Sequence, residues 1–323
     1  MLKWILAAAL GAAAAAPLGA QVPASPSTPT PPASAEDQMR DIVVMGRRTG
    51  IPFWEVRGEG RTIFLVGAIN GVSSEGRWDP EALTAVLRRA DRVMFPEARE
   101  FTIGNPFRMI GYFARWRRQA SLPRGQTLGS MLPIAELARL AALRDRRIVD
   151  KDYLTTHPFH LANDLREGAR RGTGQGQDVR EFVRRAIRRE RLVQVPVVRG
   201  NTRELARDLF TSPPEEHVPC LVSSIALAEA GPEAIRARSR AWVERRVADV
   251  LASPVEAAET NCWPSDHLAD LQDAADIRTT IRGVLGDPQV TIAVLQLRTL
   301  ASPGGVLDDL EAAGYEIVGP DWR

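Results

Sequence analysis

The segment "RTIFLVGAINGVSSEGRWDPEAL", residues 61–83, decides the fold because it changes from strand to helix around a polar residue. The apolar run over residues 62–69 predicts a central strand that is covered on both faces. Asp79 followed by Pro80 is typical of the capped first turn of a helix. Asn70 stands between these elements, at the carboxyl end of the strand, where α/β sheets form their sites.

The residues on either side extend this segment into a larger unit. "PFWEVRGEG", residues 52–60, predicts a strand over 53–57 and a glycine turn, so that a hairpin precedes the apolar strand. "RVMF", residues 92–95, predicts a second short strand that ends at Pro96 and Glu97. A strand–helix–strand unit makes its two strands parallel, and we therefore expect Asn70 and Glu97 to share one cleft.

The rest of the chain predicts a long helical insertion followed by a return to α/β structure. Residues 103–260 have mostly helical patterns, whereas "VTIAVLQL" (290–297) and "YEIVG" (315–319) predict strands on either side of a helix. The predicted fold class is α/β. Its central sheet is mixed but mainly parallel and is built from N- and C-terminal β-α-β units. We expect residues 49–323 to form a single domain.

The first 48 residues have the composition of a leader and a tether. Residues 1–20 read as a signal peptide, because a short apolar stretch precedes "LGA" and Gln21. The alternative is an uncleaved N-terminal anchor. Residues 21–48 begin with a Pro/Ser/Thr-rich stretch and are expected to form a disordered linker. We therefore expect a periplasmic or secreted protein with no transmembrane span in its mature form.

Charge and cysteine content narrow the classes of partner. The net charge of +2 offers no long-range attraction for nucleic acid. The arginine-rich stretch "REFVRRAIRRERLVQV", residues 180–195, has apolar residues at helical spacing, so we expect its arginines on a solvated face. Cys220 and Cys262 form a candidate disulfide if the protein is exported. The alternative is two buried free thiols.

The two ends of the chain together resemble the TraB/GumN family, which includes TIKI-type metalloproteases and shares its fold with erythromycin esterase and ChaN-like proteins. The resemblance is carried by "PFWEVRGEGRTIFLVGAINGV", "ADRVMFPE", "LPRGQTLGSML" and "VTIAVLQLRTLASPGGVLDDLEAAGYEIVGP" in this order. It implies a site of two Gly-x-x-His motifs and a glutamate, in which a divalent metal activates water.

This chain departs from that pattern at both histidines. "GAIN" places Asn70 at the first histidine position, and "QLRT" places Thr299 at the second, with Arg298 beside it. Glu97 alone is retained. Neutral amides and hydroxyls are weak ligands and a guanidinium repels a metal, so we predict no metal site. We expect Asn70 to stabilise its turn or to hydrogen-bond Glu97, and Arg298 to take the place of the metal's charge beside Glu97.

The four histidines outside these motifs do not restore a metal site in the sequence. His157 and His160 are spaced to share one helix face, but no acidic partner accompanies them. His217 and His267 have no partner that the sequence identifies.

Three hypotheses about function follow from these residues. The first is a catalytically degenerate, exported member of the family with a binding or envelope-associated accessory role. The second is a metal-dependent hydrolase or peptidase that binds zinc or manganese through relocated ligands. The third is a purely structural envelope protein. The resemblance suggests a peptide, a polysaccharide or an envelope protein as partner.

Overall fold

A computed structural model describes residues 35–58, 61–96, 120–150, 152–197, 212–262 and 268–323. The strands are β1 (Phe53–Gly58), β2 (Arg61–Ala68), β3 (Arg92–Met94), β4 (Gln194–Val195), β5 (Thr291–Gln296) and β6 (Glu316–Val318). They form one sheet in the order β4-β3-β5-β2-β1-β6. The strands from β4 to β2 are parallel, and β1 is antiparallel to both β2 and β6. The predicted α/β class with a mainly parallel mixed sheet is confirmed.

Helices cover the sheet and fill the middle of the chain. They are α1 (Ala35–Arg48), α2 (Pro80–Arg89), α3 (Ile134–Asp145), α4 (Pro158–Arg170), α5 (Val179–Glu190), α6 (Val218–Val243), α7 (Val247–Leu251), α8 (Pro254–Cys262), α9 (Leu268–Leu285), α10 (Leu297–Ala301) and α11 (Val306–Ala312).

The β2–α2–β3 unit forms as its sequence predicts. The β2 residues 63–66 are fully buried, which agrees with a strand covered on both faces. The Asp79 carboxylate accepts from the backbone N–H groups of Glu81 and Ala82 at 2.9 Å, and Pro80 occupies the first turn. β5 lies between β2 and β3 and is parallel to both, so the carboxyl ends of all three strands meet at one edge.

The N-terminal segment differs from the predicted linker over residues 35–48, which form α1. Ile42 is fully buried, and the partly buried Met39 and Val43 pack against the same core. The apolar residues of "DQMRDIVVM" recur at helical spacing, so one face of a helix can bury them. Their burial stabilises the helix, which the linker-like composition of the preceding residues did not indicate. Residues 1–34, with the predicted signal peptide and most of the linker, lie outside the described residues.

The helical insertion has its own apolar core between α3, α4 and the first half of α6. Cys220 and Cys262 form a disulfide there, with Cα atoms 4.3 Å apart. α6 is interrupted at Gly231, where φ is 66° and Pro232 follows. Its second half turns onto the sheet and contributes Trp242 to the main core.

A glycine-rich segment, "GTGQGQ" (172–177), packs along the loop that leaves β2. The Gly176 N–H donates to the Val72 carbonyl at 2.8 Å, and the Trp78 indole N–H donates to the Gln177 carbonyl at 2.8 Å. A Cβ at Gly176 would lie 2.2 Å from the Ser73 carbonyl oxygen. The close approach of two backbones therefore explains why residue 176 is a glycine.

One stretch, Pro214–Val243, is long and apolar enough to cross a membrane by length and composition alone, and 44% of its most apolar window is buried. Core helices of soluble proteins meet the same criteria. The break at Gly231 divides this stretch, and its two halves pack in different apolar cores.

Candidate functional site at the carboxyl edge of the sheet

The loop that carries Asn70 is fixed by the second half of α6. The Trp242 indole N–H donates to the Gly67 carbonyl at 2.9 Å, and the Ser73 N–H donates to the Ser239 hydroxyl at 3.0 Å. Arg238 donates to the Asn70 carbonyl and, at 3.3 Å, to the Gly71 carbonyl. Gly71 has φ of 61°, a conformation that glycine adopts without strain. The backbone at Asn70 is thus held rigidly, and its partly exposed side chain projects from the end of β2.

The side chain of Asn70 contacts the end of β5. The nearest polar atoms of the Asn70 and Gln296 side-chain amides lie 2.9 Å apart. The Gln296 amide also lies 2.6 Å from Arg180 Nη1. Because a guanidinium can only donate, the oxygen of the Gln296 amide is the atom that faces Arg180, and the Gln296 nitrogen donates to the Ala68 carbonyl at 3.3 Å. The same Gln296 oxygen accepts from the Asn70 amide nitrogen.

Arg180 extends this group of contacts to the end of β3. Its Nη2 atom donates to the Pro96 carbonyl at 3.1 Å, and its guanidinium lies 5.9 Å from the centre of the Phe95 ring. The ends of β2, β5 and β3 are therefore linked by two amides and one guanidinium. Glu97, the next residue after Pro96 and the predicted carboxylate of the site, lies outside the described residues.

Arg298 is paired with a glutamate of α8 in the described part of the chain. It lies in the first turn of α10, and its Nη1 atom lies 3.5 Å from Glu259 Oε2 on α8. Thr299 follows in the same helix and is partly exposed. The predicted contact of Arg298 with Glu97 lies outside the described residues and stays a prediction. Arg180 is the cation that contacts Gln296 and the Pro96 carbonyl. The turn from β5 into α10 points Arg298 toward the insertion.

Behind the loop, Arg238 belongs to a buried network of charges. Its side chain is fully buried, and Nη1 donates to Glu256 at 2.7 Å and lies 3.9 Å from Glu259. Arg170 reaches the same Glu259 at 3.3 Å. Burial raises the pKa of Glu256, whereas the positive charge of Arg238 opposes that rise. The network positions the Asn70 loop, since the same guanidinium holds both the glutamate and the loop carbonyls.

A cleft of about 420 Å³ opens beside Asn70, between the β2 exit loop and α5. Its walls include Asn70, Gly71, Gly176, Arg180 and Arg184. The expectation that the arginines of residues 180–195 lie on a solvated face is therefore wrong for Arg180 and Arg184. These two are one helical turn apart and face the cleft, whereas Arg185, Arg188 and Arg189 are exposed. In the sequence, only the i, i+4 spacing of Arg180 and Arg184 indicated that the two side chains share one face of the helix.

The side chains that the described residues place at this edge do not fit the divalent metal that the resemblance implies. Two side-chain amides and a guanidinium contact each other there, and a guanidinium neither ligates a metal nor tolerates its charge. Within the described residues, no group of three or more His, Cys, Asp or Glu side chains is arranged to hold a metal ion.

Three histidines come together elsewhere, in the core of the insertion. The His157 ring centre lies 5.3 Å from that of His217 and 6.0 Å from that of His160. His157 Nδ1 accepts from the Phe159 N–H at 3.3 Å and so caps α4. Burial, together with the neighbouring His217 and His160, lowers the pKa of His157 to about 4. The proximity of His217 could not be inferred from the sequence, because a tertiary contact creates it. His267 lies outside the described residues.

The fold and the strand-end site define an α/β protein with its candidate site where the parallel strands β3, β5 and β2 end. The profile of the TraB/PrgY/gumN family matches residues 52–318, and the chain belongs to that family. Neither the comparison with curated proteins nor the comparison with solved structures gives a match.

Proposed function

We propose that this protein is a catalytically degenerate, exported member of the TraB/PrgY/gumN family that binds a ligand in the cleft beside Asn70. The main support is the contact between Asn70, Gln296 and Arg180, in which hydrogen-bonding groups join the strand ends. A metal-activated water needs basic or anionic ligands and an open position. The amides and the guanidinium offer neither, but they suit the recognition of a polar ligand.

The shape of the site also favours binding. A volume of about 420 Å³ falls in the range of small-molecule pockets. The loop that forms one wall is tied to α6 by Arg238, Ser239 and Trp242, so the wall is preformed. A preformed wall lowers the entropy cost of binding.

The experiment that tests the loss of catalysis is a metal analysis combined with a hydrolysis assay. The chain is purified from medium supplemented with zinc and manganese, and its metal content is measured by mass spectrometry. We expect far less than one metal ion per chain and no peptidase activity. The opposite result is about one zinc or manganese per chain, lost in Glu97→Ala but retained in the control Glu244→Ala, which changes an exposed glutamate. That result would establish the metal-dependent hydrolase with relocated ligands.

We further propose export to the periplasm or to the exterior, with a mature N-terminus at Gln21. The apolar stretch before "LGA" and the Cys220–Cys262 bridge support this, because disulfides persist in oxidising compartments. Mass spectrometry of the protein from its host is expected to find the chain beginning at Gln21. An intact N-terminus on a membrane-bound protein would show an uncleaved anchor.

A further inference from the structure

The cleft contains a cationic group that the strand-end contacts do not use. Arg180 is engaged by Gln296 and by the Pro96 carbonyl. Arg184, one turn further along α5, lines the same cleft. Its Nε atom is buried and has no hydrogen-bond partner among the residues that the structure describes. The terminal Nη1 and Nη2 atoms of Arg184 are not buried in this way, so they are the donors that a ligand oxygen in the cleft can reach.

The acidic residues of the cleft are already engaged with other groups. Asp178 is the N-cap of α5 and accepts from the Glu181 N–H at 2.9 Å. The Glu181 carboxylate accepts from Arg185 at 2.8 Å, and both of these side chains are more than half exposed. The acidic groups therefore leave Arg184 available to a ligand, while they still add negative charge at the rim of the cleft.

From this arrangement we propose that the cleft binds the carboxylate group of a small ligand, with Arg184 as its principal contact and the Asn70 amide on the opposite wall. The proposal rests on the binding role proposed above. A guanidinium matches the two oxygens of a carboxylate in a planar fork, and such charge-assisted pairs are the stronger hydrogen bonds. The Asn70 amide, as a second donor, would orient the carboxylate in the cleft.

The charge of the rim favours a carboxylate over a phosphate. Asp178 and Glu181 lie in the same wall and repel an anion, and a phosphate dianion suffers about twice the repulsion that a carboxylate does. One available guanidinium balances one negative charge. A monoanion is therefore the better electrostatic match for this cleft.

The experiment compares pairs of probes that differ only in the carboxylate. N-acetyl-trialanine is compared with its C-terminal amide, and glucuronate is compared with glucose, because a carboxylate could come from a peptide end or from an acidic sugar. Binding is followed by NMR through the backbone N–H signals of Gly71 and Gly176. We expect saturable shifts with at least one of the two acids and none with its neutral partner, and the acid that binds identifies the source.

Variants of the same helix then test which arginine is responsible. Arg184→Gln is expected to weaken binding of the acid by about 10-fold or more. Arg184→Lys should recover only part of the loss, because an ammonium lacks the planar fork. Arg188→Gln is the matched control, since Arg188 is exposed on α5 outside the cleft, and it should bind as the unaltered chain does. An unchanged thermal midpoint in each variant shows that the fold is intact.

Several outcomes would overturn carboxylate recognition at Arg184. Equal shifts from an acid and its neutral partner, equal affinity in Arg184→Gln and Arg188→Gln, or no shift with either acid would each do so. These outcomes differ from the one that overturns the degenerate role, which is a stoichiometric metal dependent on Glu97. Inorganic phosphate that binds more tightly than both acids would likewise contradict the preference for a monoanion.

Discussion

The core around the sheet is mainly apolar, with buried polar exceptions such as Glu55 on β1 and Thr291 on β5, whereas the core of the insertion, between α4 and the first half of α6, includes a disulfide and three histidines. In the first region, strand residues such as 63–66 and 292–293 are fully buried. In the second, His157 and His217 are buried beside Phe159. Apolar burial is insensitive to pH and to reductants, whereas imidazoles and a disulfide respond to both. The two regions should therefore respond differently to solution conditions.

The largest loss of stability is expected from a substitution at the boundary between the two regions. Arg238→Ala should lower the free energy of unfolding by about 3–5 kcal/mol, because it leaves Glu256 buried without its cation and the Asn70 carbonyl without its donor. Urea unfolding measures the change. The double variant Arg238→Met with Glu256→Leu should recover much of it, because no unpaired charge remains.

A control for this prediction lies on the same helix. Arg240 is 42% exposed and pairs with Glu233 and Glu75 at the surface. Arg240→Ala should cost less than about 1 kcal/mol, as exposed ion pairs do. Equal losses in Arg238→Ala and Arg240→Ala would contradict the claim that burial makes Arg238 the structural link.

The next largest effect concerns the covalent link of the insertion. Replacing both Cys220 and Cys262 by Ala should lower the free energy of unfolding by about 3–4 kcal/mol, because the bridge closes a loop across a sequence separation of 42. Hydrogen exchange should rise in α4 and the first half of α6 but not in β2 or β5. A reductant should destabilise the unaltered chain to the same degree and leave the double variant unchanged. Increased exchange throughout the sheet would show that the two cores are not separable.

The histidines predict a pH dependence confined to the insertion. The folded-state pKa of His157, about 4, lies below its ordinary value of 6.5, so the unfolded chain binds the proton first. Stability contributed by neutral His157 is therefore complete above pH 6.5 and is lost as the pH falls towards 4. The loss should be roughly 2–3 kcal/mol for this group. Burial lowers the pKa of His217 and His160 as well, which adds to the trend.

The variant His157→Asn separates this effect from other acid-induced changes. Asparagine retains an acceptor for the Phe159 N–H at the start of α4 but does not titrate. Urea unfolding at pH 7 and at pH 4.5 should show a smaller decrease in the variant than in the unaltered chain. The same decrease in both proteins would place the acid sensitivity outside His157.

The smallest effect is expected in the sheet region, at the start of α2. Asp79→Ala removes the acceptor of two backbone N–H groups and should cost about 1 kcal/mol, whereas Asp79→Ser should retain most of the cap. Thermal unfolding measures both variants. A cost for Asp79→Ala as large as that of Arg238→Ala would contradict the view that apolar burial stabilises this region.

Local signals predicted the parts of the fold that depend on neighbouring residues. The hairpin, the capped helix at Asp79 and the apolar strand before Asn70 each follow from spacing within about a dozen residues. α1 was missed because its apolar residues follow a Pro-rich stretch, and only the docking of Ile42 into the core distinguishes a helix from a linker there.

The candidate site was predicted only in part, for a related reason. The carboxyl ends of parallel strands share an edge, so the meeting of Asn70 with the end of β5 follows from topology. The topology does not reveal which cation lies at that edge. Arg180 belongs to a helix that looked like a solvated surface helix, whereas Arg298 is turned away by the start of α10.

By itself, the sequence determined the α/β class, the family resemblance and the absence of histidine at both motif positions, because strand patterns, caps and residue types are local properties. Only the tertiary structure decided that Arg180 contacts Gln296, that Arg238 holds the Asn70 loop and that His217 lies beside His157. These contacts join residues far apart in the chain. Their geometry depends on how whole helices pack, and the spacing of residues along one element does not contain that information.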